Sequence, residues 1–286
     1  MAYIRPGGIV SEGGTEVMSE RFGLEKFTRH PFYQEVNRRL VKLSTLRPGF
    51  RVVDLGAGTG AVTRLIVEEV AGEGAEVIAV EPARSALSTA RRNLANVSGA
   101  VVRFVQGKAE KLSQLVRRPV DAVLFCNAIH LVREKVGVLQ EIRQVLREGG
   151  IFSFNTTFFK GAEPPESFQF YRRWLSKALR LLKARYGLHP SPERAVARER
   201  LSCEEYASLL AEQGFCLWHQ ELVRVDMTPE SFEDLSEYRL WIEGILPGVP
   251  LAKGSEVLKE TVRETFAELA ITTSPRLWLL MVAYRA

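Results

Sequence analysis

The chain has 286 residues, of which 46% are hydrophobic and 26% charged, and its net charge is +5 with a pI near 9.2. This is the composition of an ordinary globular protein and argues against a disordered or fibrous chain. No stretch approaches the roughly 20 apolar residues that cross a bilayer, and the first residues lack a secretory signal pattern, so we expect a cytoplasmic protein.

From residue 51 onwards, short apolar runs alternate with amphipathic stretches. The runs are too continuously apolar for half-exposed strands, and the stretches between them place apolar residues at helical spacing. This alternation predicts an α/β fold, a doubly wound and mostly parallel seven-stranded sheet with helices on both faces. The predicted core strands are RVVDL at 51–55, EVIAV at 76–80, VRFVQ at 102–106, DAVLFC at 121–126 and IFSFN at 151–155.

A glycine-rich loop, DLGAGTG at 54–60, follows the first predicted strand and opens the first helix. Glycines there let a ligand approach the backbone and leave helix N–H groups free to bind it. The loop fits two cofactor classes, because Gly56, Gly58 and Ala61 also satisfy the G-x-G-x-x-G/A dinucleotide pattern. Ligands of such sheets bind beyond the carboxyl ends of the strands.

Two acidic residues bear on the choice between these classes. Asp54 precedes the first glycine by two residues, where a pyrophosphate would repel it but a ligand with a sulfonium and an ammonium would attract it. Glu81, at the end of the second strand, can accept both ribose hydroxyls in either class. Asp54 therefore favours S-adenosylmethionine, whereas Glu81 indicates an adenosine ligand without choosing.

Five segments together resemble the class I S-adenosylmethionine-dependent methyltransferases, in particular the ubiquinone- and menaquinone-type small-molecule group. The resemblance extends over about 110 residues, and it implies S-adenosylmethionine as the cofactor. The segments are VVDLGAGTG at 52–60, AVEPARSAL at 79–87, VQGKAEKL at 105–112, VDAVLFCNAIHLV at 120–132 and VLREGGIFSF at 145–154.

The resemblance also implies roles for individual residues. The loop would lie under the methionine and ribose, with Asp54 orienting the amino end and Glu81 holding the ribose. Lys108 departs from the Asp common at its position, and because a Lys only donates hydrogen bonds it cannot accept from the adenine amine. The cofactor-binding residues so implied are Asp54, Gly56, Ala57, Gly58, Gly60, Glu81, Pro82, Lys108, Ala109, Glu110, Cys126 and Asn127.

His130 follows the fourth strand and has two interpretations. It is the catalytic candidate, a base that faces the cleft and has a suitable pKa. The alternative is a structural role, because in the resembling family a His at this place occurs among members with unrelated substrates. Methyl transfer needs a base only when the nucleophile must lose a proton.

The alternating pattern and its interruptions divide the chain into four parts: cap helices at 1–48, a cofactor-binding core at 49–157, a basic helical lid at 158–200, and a completion of the core at 201–286 with a helical insertion at about 229–270. The lid carries ten Lys or Arg against four Glu. Arg173, Lys177 and Arg180 form a stripe along one helix face, predicting contact with an anionic substrate, contact with a membrane surface, or a solvated face. Aromatic residues of both insertions are expected to line an apolar pocket, Phe158, Phe159, Phe168, Phe170, Tyr171, Trp174, Tyr238 and Trp241 among them.

The sequence thus predicts an S-adenosylmethionine-dependent methyltransferase acting on a small to medium organic molecule, anionic or quinone-like. An RNA methyltransferase is the first alternative because the chain is basic, although Asn127-Ala128-Ile129-His130 lacks the Pro-Pro-aromatic motif that grips a flipped base. A nicotinamide-dependent oxidoreductase is the second alternative. We expect no stable nucleic acid partner. The three cysteines form no C-x-x-C pair, so no metal is predicted.

Overall fold

The computed structural model describes residues 22–191 and 200–286. Two predicted segments are therefore described only in part. Residues 1–21 of the predicted cap helices at 1–48, and residues 192–199 of the predicted lid at 158–200, lie outside the described residues. Within the described ranges, seven strands form one sheet in the order β3-β2-β1-β4-β5-β7-β6. The strands are β1 Arg51–Leu55, β2 Glu76–Glu81, β3 Val101–Gln106, β4 Val120–Cys126, β5 Leu146–Thr156, β6 Phe215–Met227 and β7 Ser274–Arg285.

The described helices pack on both faces of this sheet. In chain order they are α1 Pro31–Leu43, α2 Ala61–Val70, α3 Arg84–Asn93, α4 Leu112–Leu115, α5 Lys135–Val145, α6 Phe168–Tyr186, α7 Cys203–Glu212, α8 Pro229–Leu235, α9 Arg239–Ile245 and α10 Leu251–Leu269. Short 3₁₀ turns lie at Phe27–Arg29, Ala109–Lys111, Ile129–Leu131 and Pro165–Ser167. In the part of the chain that the structure describes, no helix is both long and apolar enough to cross a membrane.

Strands β1 to β5 pair in parallel, whereas β7 runs antiparallel between β5 and β6. Alternate residues of one strand belong to different cores, as Val52 packs with the α1, α2 and α10 side chains and Val53 with those of α5 and α7. The predicted doubly wound, mostly parallel sheet is confirmed. The antiparallel β7 also separates this sheet from the 3-2-1-4-5-6 order of dinucleotide-binding folds.

The two helical insertions pack mainly on each other. Phe170 and Trp174 of α6 contact Phe232 of α8, and Phe170 also contacts Phe266 of α10, with ring centroids 4.7–5.4 Å apart. Phe168 is 56% exposed. The prediction that these aromatic side chains line a pocket is therefore wrong for most of them, because burial against a neighbouring helix satisfies them equally well.

Candidate active site

A cavity of about 520 Å³ opens at the carboxyl ends of β1, β2 and β4. Its position follows from the topology, because the chain leaves β1 in one direction towards β2 and returns on the other side at β4. The walls come from the loops that follow these strands and from the segment after β3. The roof comes from the N-terminal region and from the residue before α9, namely Gly23, Leu24, Glu25, Thr28, Tyr33 and Tyr238.

The glycine loop forms the floor of the cavity with Gly56, Ala57 and Gly58. Gly58 has φ +53°, and a Cβ built on it would meet no atom within 4 Å, so a ligand can lie against the backbone there. Gly60 differs, because it is not in the cavity wall and its Cβ would lie 2.9 Å from Leu94 Cδ1. Its predicted contact with a cofactor is not seen, and the packing of α3 against the loop accounts for this glycine.

Glu81 holds the loop in shape from the end of β2. Its Oε2 accepts the Gly58 N–H at 3.0 Å, and its Oε1 accepts the Ala83 N–H at 3.0 Å. Burial raises the pKa of the Glu81 carboxyl, while these two N–H groups act in the opposite direction. Each oxygen still has a free lone pair, so the carboxylate in the cavity wall can accept ribose hydroxyls as predicted.

Asp54 lies behind the loop instead of in the cavity wall. It is 1% exposed, and its Oδ2 accepts the Thr63 hydroxyl of α2 at 2.6 Å. Burial raises the pKa of Asp54 from its ordinary 3.8 to about 7, and the nearby Glu81 charge adds to this effect. Asp54 thus anchors α2 to β1 and does not line the cavity, and its predicted role towards the amino end of a cofactor stays a prediction.

The segment after β3 contributes the opposite wall. Lys108, Ala109 and Glu110 line the cavity together with Pro82, as the sequence predicts. Lys108 and Glu110 are both exposed. Glu110 therefore lies in the cavity wall two residues after Lys108, the residue that replaces the Asp of the family pattern. Glu110 is thus a usable acceptor for an adenine amine.

Cys126 and Asn127 lie in the wall where β4 ends. Asn127 has φ +51°, and its backbone N–H donates to Asn155 Oδ1 at 2.8 Å. The Oδ1 of Asn37, on α1, accepts two hydrogen bonds: one from Asn127 Nδ2 at 3.2 Å and one from Asn155 Nδ2 at 2.8 Å. This amide network, with Tyr33 of α1 beside it, fixes the end of β4 and joins it to the roof of the cavity.

Sequence reasoning missed the contribution of α1 to this site. Tyr33 lines the cavity, and Asn37 is 1% exposed. The signal was available, because Asn37 falls among the apolar residues Tyr33, Val36, Leu40 and Val41 that form the buried stripe of the helix. A polar residue in such a stripe needs partners inside the protein.

His130 is buried and does not line the cavity. Its Nδ1 lies 3.0 Å from Thr156 Oγ1, and its ring contacts Phe158 at a centroid distance of 4.3 Å. Burial lowers the pKa of His130 to about 3, and the charges of Lys135, Arg200 and Arg276 lower it further. The expectation of a suitably basic, cleft-facing imidazole is wrong, so the geometry favours the non-catalytic interpretation.

The basic stripe of α6 is neutralised by an acidic stripe of α10. Lys177 Nζ lies 2.8 Å from Glu268 and 3.5 Å from Glu264, and Arg173 lies 3.2 Å from Glu268. Arg185 pairs with two further carboxylates of α10. The predicted contact of Arg173 and Lys177 with an anionic substrate is therefore not supported, because their partners lie within the protein.

Comparisons with known proteins point to one family. Residues 46–184 match the sequence profile of a family described as a methyltransferase domain. The ubiquinone/menaquinone biosynthesis C-methyltransferase UbiE of Legionella pneumophila is 30% identical over 132 residues, which cover 44% of this chain and 52% of the relative. The match thus spans about half the length of that relative.

Solved structures share the fold at low identity. A Bacillus halodurans protein superposes with a TM-score of 0.58 at 18% identity, over 88% of this chain and 99% of that one. A geranyl diphosphate methyltransferase solved with S-adenosylmethionine gives a TM-score of 0.52 at 18% identity, over 98% and 93%. The match of residues 46–184 to a methyltransferase domain and the shared fold agree with the resemblance to class I S-adenosylmethionine-dependent methyltransferases that the motifs between 52 and 154 carry.

Proposed function

We propose that this protein is a methyltransferase that uses S-adenosylmethionine to methylate a small to medium organic molecule. The observation that carries the proposal is the cavity over Gly58, where bare backbone and the Glu81 carboxylate line a space of about 520 Å³. The family of the domain and the cofactor bound by the geranyl diphosphate methyltransferase support the same conclusion.

The residues present fit this cofactor. Gly58 leaves room for a ligand against the loop, Glu81 offers acceptors for ribose hydroxyls, and Pro82 with Ala109 offers apolar surface for an adenine ring. When bound, S-adenosylmethionine supplies an electrophilic methyl carbon on a positively charged sulfur. The cavity wall holds no cluster of Lys and Arg that would suit the pyrophosphate of a nicotinamide cofactor, Lys108 being its one basic residue among those the structure describes.

The work of the chain in methyl transfer is alignment and the exclusion of water. Proximity and orientation alone account for a large part of such a rate enhancement. Tyr33 and Tyr238 close the cavity from above, and the Asn127 network fixes the end of β4 at its far side. With the pKa of His130 at about 3, its imidazole is neutral and a weak base near neutral pH, so the proposal assigns it no proton transfer.

A roofed cavity suits a small acceptor better than a folded RNA. The roof is formed by the described part of the N-terminal region, which stands where a large polymer would have to enter. Two proteins similar to this chain act, by their names, on small molecules: one in ubiquinone and menaquinone biosynthesis and one on geranyl diphosphate. These similarities support a small organic acceptor and do not name it.

Calorimetric titration tests the cofactor with a matched pair of glycine variants. Gly58→Leu places a side chain in the cavity, and we expect it to abolish binding of S-adenosylmethionine and its demethylated product. Gly187→Leu is the control, because Gly187 also has a left-handed backbone, φ +64°, and open space around its Cβ, but lies at the end of α6. Equal loss of binding in both variants, or wild-type binding to NAD alone, would contradict the proposal.

A transfer assay with labelled methyl donor tests the acceptor class. The panel should contain total RNA, quinone precursors, and aromatic and aliphatic carboxylic acids. Labelling of a small molecule supports the proposal. Strong labelling of RNA with no labelled small molecule would replace the acceptor while leaving the cofactor proposal intact.

A further inference from the structure

Among the described residues, two buried ring nitrogens that belong to one aromatic cluster have no hydrogen-bond partner: Nε2 of His130 and Nε1 of Trp241. Their side chains are 7% and 3% exposed. Buried polar groups in folded proteins almost always have partners, so an orphaned donor points to a missing acceptor. Both rings contact Phe158, at centroid distances of 4.3 and 6.1 Å, and so belong to one cluster.

The hydrogen bonds of Thr156 assign the proton of His130. Thr156 Oγ1 accepts the N–H of Phe158 at 3.0 Å and lies 3.0 Å from His130 Nδ1. Nδ1 is the one acceptor that the described residues offer to the buried Thr156 hydroxyl, so we place the hydroxyl hydrogen on the bond to Nδ1 and the imidazole proton on Nε2. His130 therefore presents an N–H, and not a lone pair, at its unpartnered side.

Among the described residues, two guanidinium groups and one carboxylate belong to the cluster. Arg276 is fully buried and donates to Glu163 at 2.9 Å, to Tyr171 at 2.9 Å and to the Thr157 hydroxyl at 2.7 Å. Arg200 donates to the same Glu163 carboxylate at 3.0 Å. Two guanidinium groups thus share one carboxylate among the partners that the structure describes.

This charge lies against the orphaned donors. The Arg276 guanidinium stands 5.6 Å from the Phe158 ring and 5.2 Å from the Trp241 ring. The cofactor cavity is adjacent, because Leu131 and Tyr238, which are close in sequence to His130 and Trp241, line its wall. Charge and donors therefore lie close to the cavity, at residues that neighbour its wall in sequence without lining it.

We propose that His130 Nε2 and Trp241 Nε1 bind a carboxylate of the methyl acceptor, with Arg276 and Arg200 supplying the countercharge. A carboxylate has two oxygen atoms and accepts from both donors, whereas a neutral amide offers only one acceptor. The inference rests on the proposed function, since it names the chemical class of that acceptor. It makes His130 a binding residue in its neutral form.

Nitrogen NMR of histidine-labelled protein tests the site without any methyl transfer. The chain has four histidines, and His130→Gln identifies the His130 signals. Benzoate is the probe, and benzamide is its neutral control of equal shape. We expect a protonated Nε2 in the free protein, a shift of that signal with benzoate, and no shift with benzamide.

Trp241→Phe removes one donor and keeps a ring, so we expect the dissociation constant of benzoate to rise about tenfold. Trp218→Phe is the control, because Trp218 is 67% exposed on β6, and it should leave benzoate binding unchanged. If Trp241→Phe fails to fold, His130→Gln serves as the second test. Its side chain retains an N–H at the same place, so we expect it to keep benzoate binding, measured by calorimetry.

The inference is wrong if Nε2 is unprotonated, if benzoate and benzamide shift the signal alike, or if benzoate shifts nothing up to its solubility limit. Titration of S-adenosylmethionine on the same sample separates the two proposals. Cofactor binding without benzoate binding rejects the carboxylate site alone. Benzoate binding without cofactor binding rejects the proposed function.

Discussion

Asp54 should make the stability of the protein depend on pH in a way that one substitution removes. Burial raises the pKa of this carboxyl from 3.8 to about 7 in the folded state, so between these values the folded protein holds a proton that the unfolded chain has lost. Stability therefore falls as pH rises through this range, by about 1.4 kcal/mol for each pH unit. From about pH 5 to pH 8 the folded state should lose about 3 kcal/mol on account of Asp54.

Asp54→Asn keeps an oxygen that accepts the Thr63 hydroxyl but carries no charge, so its free energy of unfolding should lack this loss. Urea denaturation of both proteins across this pH range measures the difference, and Asp226→Asn, which changes a half-exposed carboxylate, serves as control. A constant difference between wild type and Asp54→Asn at all pH values would refute the reasoning.

The same variant decides whether Asp54 also acts on the ligand. A cation in the cavity would favour the ionised carboxylate across the loop, so wild-type affinity for S-adenosylmethionine should rise with pH near 7. At higher pH, Asp54→Asn should then bind more weakly by about 1–3 kcal/mol. Equal affinities would show that Asp54 only anchors α2 to β1.

Three further predictions concern packing and surface charge. Arg173→Glu combined with Lys177→Glu should lower the free energy of unfolding by about 1–2 kcal/mol, since exposed pairs are weak, and should leave KM unchanged. Arg276→Met should lower the free energy of unfolding, measured by urea denaturation, by about 3–5 kcal/mol, because the substitution leaves buried acceptors unpaired. The control Arg224→Met changes an exposed arginine and should cost less than about 1 kcal/mol. Gly60→Ala should lower the melting temperature but leave cofactor affinity unchanged by calorimetry, because its methyl group meets a leucine behind the loop.

The strands of the core were predictable because their residues are buried on both faces. RVVDL was predicted at 51–55 and is observed there, and DAVLFC at 121–126 is extended only by Val120. Continuous apolar runs of this kind leave few alternatives to a parallel strand. The ends of β1 and β2 determine where the glycine loop and Glu81 meet. Most of the residues that were predicted to bind the cofactor therefore line the cavity.

The contacts that sequence reasoning missed join elements far apart in the chain. Asn37 and Asn155 meet across more than a hundred residues, and no local pattern pairs them. The stripe of α6 was a different case. Arg173 and Lys177 pair with Glu264 and Glu268, and Arg185 pairs with Glu256 and Glu260, so the acidic partners recur at every fourth residue of α10. This second stripe is visible in the sequence, but no local pattern says which helix it faces.

The positive net charge of the chain does not indicate how charge is distributed at the candidate active site. Surface cations such as Arg173 are paired and exposed, and pairs of this kind contribute little to stability or binding. Arg276, by contrast, is buried and shares the Glu163 carboxylate with Arg200, and a buried guanidinium is costly unless anions and hydrogen-bond acceptors surround it. A fold that keeps such a group beside its cofactor cavity, with two unpaired donors next to it, bears a cost that a bound carboxylate would offset. The basic composition first suggested an anionic partner for the surface helix, but the structural argument for one lies inside, at Arg276.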